Sequence, residues 1–371
     1  MSKPIRVLVV DDSAYVRHTI GRLLNADPDI RVVGSARDGI EALEKASRTE
    51  IDVITLDVEM PRMDGLTTLR RLMREHRVPV IMVSGWTRWG AEATVRALAL
   101  GAIDFVCKPS VPGSQRLESM AEELRSKVRW AAAAAAGGRG SEVGAREVRA
   151  RGRGPAAEPR TPAPVRIVAI GSSTGGPRAL HHLLPRFSRD FPVPIVVVQH
   201  MPAGFTRSLA EHLNGACALD VREAEAGDVV SAGQVLIAPG DHHLVVRLGG
   251  VVELNRGPAI HGVRPAVDVT LASLADTYGP SCLAVILTGM GSDGAEGALK
   301  VRKGGGYVIV EHESTCVVYG MPRSAVENGA ADVAIPLPQI PMAIEQLVSL
   351  SRSRENCRRA SVPRPSAAGR G

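Results

Sequence analysis

Aromatic side chains are scarce in this sequence, with four Phe, four Tyr and three Trp among 371 residues. A surface that stacks successive bases is hard to assemble from so few, which argues against nucleic-acid binding of that kind. No stretch reaches the ~20 consecutive apolar residues that span a bilayer. The opening "MSKPIRVLVVDDS" has only a short apolar run, cut by acids. The expectation is a cytoplasmic protein with no membrane insertion. Five cysteines, Cys107, Cys217, Cys282, Cys316 and Cys357, lack CxxC spacing and metal-ligand neighbours, and read as reduced, mostly buried thiols. What is present is enough for ordinary cores: 44% of residues are hydrophobic, and the length suits two domains.

The net charge of +6 invites a nucleic-acid partner until its distribution is read. Residues 125–160 carry net +6 and residues 351–371 net +5, leaving the rest at −5. Both basic segments are rich in Ala, Gly, Pro, Ser and Arg and poor in large apolar residues, so neither can bury a core. They mark boundaries: a first domain at 1–128, a disordered linker at 129–163, a second domain at 164–350 and a disordered basic tail at 351–371. The alanine run at 131–136 can prolong the preceding helix until the glycines at 137 and 138 end it.

Residues 1–128 alternate short β-rich runs with helical spacings. "IRVLVV" (5–10), "RVVGSA" (31–36), "DVITL" (52–56), "VPVIMVS" (78–84) and "DFVCKP" (104–109) read as strands. "LTTLRRLMREH" places Leu66, Leu69, Leu72 and Met73 on one helical face. Five such units predict a doubly wound parallel α/β sheet, whose ligands bind at the carboxyl ends of the strands. Those ends carry Asp11, Asp12, Asp57, Ser84 and Lys108. Three carboxylates at one edge repel one another unless a cation joins them, and an all-oxygen set suits Mg²⁺. A lysine and a hydroxyl beside them can hold phosphoryl oxygens. With "TLDVEMPRMDG", this segment resembles the response-regulator receiver domain. The resemblance implies Asp57 as phosphoacceptor, Ser84, Phe105 and Lys108 as the switch, and Asp11, Asp12, Asp57 and the Glu59 backbone carbonyl as Mg²⁺ ligands.

The second domain also alternates, with strands at "VRIVAIG" (165–171), "VPIVVVQ" (193–199), "VLIAP" (235–239), "LVVRL" (244–248), "LAVILTG" (283–289) and "GYVIVE" (306–311). A second doubly wound, mostly parallel α/β sheet is expected. In "AIGSSTGGP", Gly171, Ser173 and Gly175 fit G-x-S-x-G, which exposes a serine on a tight strand-to-helix turn. A glycine loop before a helix N-terminus can equally bind an anion through its N–H groups. On that stretch alone, nucleophile and phosphate cradle stand level.

A serine nucleophile needs a base. His200 follows the apolar strand of "PIVVVQHMPAGF" and shares the sheet edge; a strand-end histidine bonded only to backbone is the competing reading, and His242 and His243 are rivals. Asp293, in the glycine-rich "LTGMGSDGAEG", can orient an imidazole, and glycines there can turn N–H groups towards an oxyanion.

"AIGSSTGG", "QHMPAGFT", "APGDHHL", "HGVRPAVD" and "LTGMGSDGAEG" resemble the catalytic domain of the CheB family of chemotaxis protein-glutamate methylesterases. The resemblance implies a triad of Ser173, His200 and Asp293 with an oxyanion N–H from Met290, and no cofactor for the esterase reaction. It implies a phosphorylation-activated enzyme that removes methyl groups from glutamate esters on the cytoplasmic helices of chemoreceptors, deamidates glutamines, and takes phosphate from a chemotaxis histidine kinase. The family usually has a small residue such as Ala at Ser172; the elbow spacing favours Ser173, and the surrounding glycines are expected to make room for the methylated side chain. Two other classes remain: a phospho-controlled module that binds an anion without catalysis, and a DNA-binding regulator, disfavoured by the acidic folded parts and the lack of a helix-turn-helix pattern.

Overall fold

The computed structural model describes residues 3–85, 87–108, 114–137 and 163–349. In the N-terminal half, β1 (Ile5–Val10), β2 (Ile30–Ala36), β3 (Val53–Asp57), β4 (Val80–Ser84) and β5 (Asp104–Cys107) form one parallel sheet in the order β2-β1-β3-β4-β5. Helices α1 (Ala14–Asn25), α2 (Gly39–Arg48), α3 (Gly65–Glu75), α4 (Arg88–Leu100) and α5 (Ser114–Gly137) connect and cover it. The first four begin where the sequence supplies an oxygen to a helix N–H: Ser13, Asp38, Asp64 and Thr87 are their N-caps. β3 and β4 are buried along their whole length, as expected of central strands covered on both faces. Residues 129–137, assigned above to the linker, belong to α5, because alanine propagates a helix once it is started. Residues 138–162 of that linker and the tail at 351–371 lie outside the described residues.

The C-terminal half contains β6 (Ile167–Ser172), α6 (Gly176–Leu183), β7 (Ile195–Gln199), α7 (Phe205–Asn214), β8 (Asp220–Glu223), β9 (Gln234–Ile237), β10 (His243–Val246), β11 (Val252–Asn255), α8 (Val267–Tyr278), β12 (Cys282–Ile286), α9 (Ala295–Lys303), β13 (Tyr307–Glu311), α10 (Met321–Glu327) and β14 (Val333–Ile335). Seven strands make a parallel sheet in the order β14-β13-β12-β6-β7-β9-β8. The run at 244–248 departs from expectation. It lies outside this sheet, as β10 in an antiparallel pair with β11. That pair packs on α8, where Thr270 and Thr277 hydroxyls donate to the Leu244 and Val246 carbonyls. The chain fills the sheet on one side of β6, then crosses to β12 on the other. The carboxyl ends of β6, β7 and β12 therefore flank the switch point at which open α/β sheets bind ligands.

The two halves are in contact. Phe105 of β5 stacks on Phe205 of α7 with ring centroids 4.8 Å apart and planes 12° off parallel. A continuous cluster of buried apolar side chains includes Leu98 and Phe105 from the first half and Phe205 and Leu209 from the second.

Candidate active site

Three loops leave the switch point with a common design. Each runs from strand through a polar residue to a glycine with positive φ, and that glycine starts a helix: Ser173 precedes Gly175 (φ 80°), His200 precedes Gly204 (φ 85°) and Asp293 precedes Gly294 (φ 91°). L-residues are strained in this region, so glycine sets the sharp turn that leaves the preceding side chain at the strand end. None of the three helices has a side-chain cap, in contrast to the capped helices of the first half.

The register brings these residues together. Ser172 of β6 pairs with Gln199 of β7, and the His200 N–H donates to the Ser172 carbonyl at 3.1 Å, so Ser173 and His200 leave neighbouring strands side by side. His200 Nε2 lies 2.7 Å from Asp293 Oδ2. The structure contains no hydrogen bond between the Ser173 hydroxyl and the His200 ring; apo sites often show such bonds only when substrate closes them. The two serines are sharply distinguished. Ser172 is fully buried and donates to Gln199 Oε1 at 2.7 Å, whereas Ser173 is half-buried and its hydroxyl has no partner among the described residues. Neither rival histidine faces them: His242 is tied to the Gly240 carbonyl and Arg256, and His243 to the Ala266 N–H and the Pro258 carbonyl.

Asp293 is a buried carboxylate with full compensation. It accepts N–H groups from Val267 (2.6 Å), Asp268 (3.0 Å) and Gly294 (3.0 Å) besides engaging His200. Burial alone would raise its pKa, but the His200 contact and the backbone donors outweigh it and hold Asp293 below the ordinary carboxylate value. Met290 follows Gly289, which is so close to the elbow that a Cβ there would stand 2.8 Å from Ser173 Cβ. The Met290 N–H has no backbone acceptor among the described residues.

The glycines do not serve the purpose expected of them. A Cβ at Gly171 would strike Val267, one at Gly175 would strike Val317, and one at Gly176 would come within 2.0 Å of Gln199 Oε1. The space they leave is filled by the protein's own side chains rather than kept for a substrate.

At the other sheet edge, Asp11, Asp12 and Asp57 can bring one oxygen each to within 4.8 Å of one another. Lys108 Nζ sits 2.8 Å from Asp11 and 2.7 Å from Asp57. Burial disfavours its ammonium, yet the two carboxylates outweigh burial and hold Lys108 above its ordinary pKa. Burial, opposed by Lys108 and reinforced by Asp11, pushes Asp57 up to about 6. Glu59 is exposed in the loop after β3. The Ser84 hydroxyl donates to the Gly90 carbonyl of α4 at 3.2 Å. Phe105 is turned into the interdomain contact, with Lys127 Nζ 5.4 Å from its ring centroid. Across the same contact Thr174 donates to Asp104 (2.5 Å) and Ser126 to Met290 Sδ (3.2 Å).

Residues 168–344 match the CheB methylesterase family model, and residues 7–122 match that of the response regulator receiver domain. A protein-glutamate methylesterase/protein-glutamine glutaminase of Symbiobacterium thermophilum is 52% identical over 94% of this chain and 98% of its own. One of the same description from Pyrococcus abyssi is 44% identical over 98% and 99%. The chain belongs to the CheB methylesterase family. The crystal structure of the Thermotoga maritima CheB methylesterase catalytic domain aligns at 52% identity with 50% of this chain and 98% of its own, with a TM-score of 0.48.

Within this CheB-family chain, several supporting residues were not singled out from the sequence. Gln199 Nε2 donates to the Ser173 carbonyl (2.9 Å) and the His200 carbonyl (3.2 Å), so a buried amide fastens the two loops together. Glu311, fully buried at the end of β13, accepts the Thr288 N–H (2.8 Å), and the Thr288 carbonyl accepts the Ser173 N–H (3.1 Å). A polar residue closing an apolar strand was the available signal, in "IVVVQ" and "YVIVE".

Proposed function

We propose that this chain is a protein-glutamate methylesterase, and a protein-glutamine glutaminase by the same acyl transfer, acting on the cytoplasmic helices of chemoreceptors under control of its phosphorylated receiver domain. The observation that carries this reading is the strand register that sets Ser173, whose hydroxyl has no partner among the described residues, beside His200, whose Nε2 lies 2.7 Å from the buried Asp293.

Ser173 Oγ attacks the γ-carbonyl of the glutamate methyl ester, and its proton passes to the His200 nitrogen not engaged by Asp293. Asp293 holds the ring and stabilises the imidazolium that forms. The Met290 N–H faces the oxyanion, a kind of contact whose loss costs roughly 10²–10³-fold in rate. Methanol leaves with the proton from His200. Water, deprotonated by the same imidazole, then releases the glutamate carboxylate and restores Ser173. With glutamine the leaving group is ammonia.

Asp57 accepts the phosphoryl group from a histidine kinase. Mg²⁺ suits the site, since three carboxylates, two of them buried, gather there and the charge of Asp11 adds to the burial that raises the Asp57 pKa. Asp11, Asp12, Asp57 and the Glu59 carbonyl would hold it, and bound there it would shield the phosphoryl oxygens. Lys108 pairs with the new phosphoryl oxygens, and Ser84 must leave Gly90 to reach them. The receiver meets the catalytic domain through Thr174, Met290 and Phe205, of which Thr174 follows Ser173 and Met290 is the proposed oxyanion donor. Repacking of that contact uncovers the site.

Methanol release from methylated receptor membranes, with and without a small phosphodonor, tests the reading. Release that the phosphodonor stimulates is expected; no release under either condition would refute it.

A further inference from the structure

Asp293 does not stand alone against the imidazole. Asp268, on the first turn of α8, gives its backbone N–H to Asp293 Oδ1 at 3.0 Å. Its carboxylate lies behind Asp293. Asp268 Oδ1 accepts the Gly297 N–H of α9 at 2.7 Å, and Oδ2 lies 3.2 Å from His261 Nε2. His261, Asp268 and Asp293 can bring one ligand atom each to within 4.8 Å of one another. The result is a row of imidazole, carboxylate, carboxylate and imidazole running His261, Asp268, Asp293, His200. Its inner members are almost enclosed, with Asp268 12% and Asp293 3% exposed, while His261 at 41% opens to solvent. Backbone N–H groups fill the acceptor directions of Asp293, so the row reads as electrostatic support for His200 rather than a cradle for a cation.

We propose, resting on the esterase reading above, that Asp268 is a positioning residue of the site: with His261 behind it, Asp268 fixes Asp293 and adds a second negative charge that strengthens His200 as the base. Two carboxylates so close repel one another, and the backbone N–H groups of Val267, Gly294 and Gly297 with the two imidazoles oppose that repulsion. Asp268 shows the strain in its pKa, raised by burial and then by Asp293, against the Gly297 N–H and His261.

Two other elements packed on α8, α9 and β10, also carry titratable groups. On α9, Glu296 lies in the first turn, and Lys300 is bonded to Asp276 towards the far end of α8. On β10, the ring nitrogens of His243 are taken by the Ala266 N–H and the Pro258 carbonyl.

The test is the pH profile of kcat/KM for methanol release by the full chain with phosphodonor. Asp268→Asn keeps the acceptor for Gly297 and removes the charge. The acid limb is expected to move to lower pH by about half a unit to one unit, as one unit charge several ångströms away produces in a partly shielded site. His261→Lys, at an exposed side chain, adds a permanent cation and is expected to move the limb the same way by less; it reads the electrostatic coupling even if Asp268→Asn does not fold. Reduced kcat with the limb unmoved in both variants would overturn the proposal and leave Asp268 a structural role only. Failure of the esterase reading looks different: the wild type would release no methanol, or Ser173→Ala would release as much as the wild type.

Discussion

Thr174 Oγ1, one residue beyond Ser173, donates to Asp104 Oδ2 of the receiver at 2.5 Å, and Asp104 is held in turn by Lys127 at 3.2 Å. A side chain next to the proposed nucleophile is therefore bonded to the strand that ends in the receiver switch. Thr174→Val keeps the shape and removes the donor. Because a hydrogen bond to a charged group contributes ~1.5–3 kcal/mol, a rise of roughly ten- to a hundredfold in methanol release without phosphodonor is expected. The rate with phosphodonor should stay near that of the wild type.

Asp57 gives a pH dependence of definite sign. Its folded pKa of about 6 lies above the ordinary 3.8, so between those values the folded state binds more protons than the unfolded one. Asp57 therefore favours folding below the unfolded value, and that contribution is lost as pH rises through about 6. Asp57→Asn should stabilise the metal-free protein at pH 7 by roughly 1–2 kcal/mol and have little effect at pH 4. Urea unfolding at the two pH values checks this, and Mg²⁺ at pH 7 should raise the wild-type midpoint more than that of the variant.

Gln199 is predicted to matter through geometry. Gln199→Met preserves length but drops both donors to the Ser173 and His200 carbonyls and the acceptor for Ser172. Loss of about 1–3 kcal/mol in stability is expected from the polar groups left buried and unpaired. A fall of roughly 10²-fold in kcat is expected from misplacement of the pair by a fraction of an ångström to 1 Å. Thermal unfolding and methanol release measure the two effects separately.

Gly289 has no room for a methyl group. The Cβ of Gly289→Ala would meet Met321 Sδ at 2.3 Å and Ser173 Cβ at 2.8 Å. The loop must move away from the elbow and take the Met290 N–H with it. A drop of roughly 10²–10³-fold in kcat with smaller change in KM is expected, as for loss of an oxyanion donor.

The strands legible in the sequence were those buried on both faces, because parallel central strands are written as unbroken apolar runs, such as "VITL" in β3 and "IVVV" in β7. The missed strands are short or partly exposed: β8 reads DVRE, β11 reads VELN, and β14 is three half-buried residues. The misplaced strand, β10, is apolar like its neighbours, and only its antiparallel partner reveals that it left the sheet. The polar strand ends were legible one at a time, and the parallel register that sets Ser173 beside His200 is a tertiary fact. Gln199 and Glu311 carry a local mark, a polar residue closing an apolar strand, but their roles, like that of Asp268, lie in contacts far apart in the chain.

The most direct measurement of the central claim compares Ser173→Ala with Ser172→Ala for methanol release from methylated receptor membranes in the presence of phosphodonor. Ser173→Ala should lose at least about 10³-fold, as removal of a triad member does. Ser172→Ala should keep measurable turnover, because that hydroxyl is spent on Gln199 in the buried sheet edge. Release by Ser173→Ala at the wild-type rate would contradict the account.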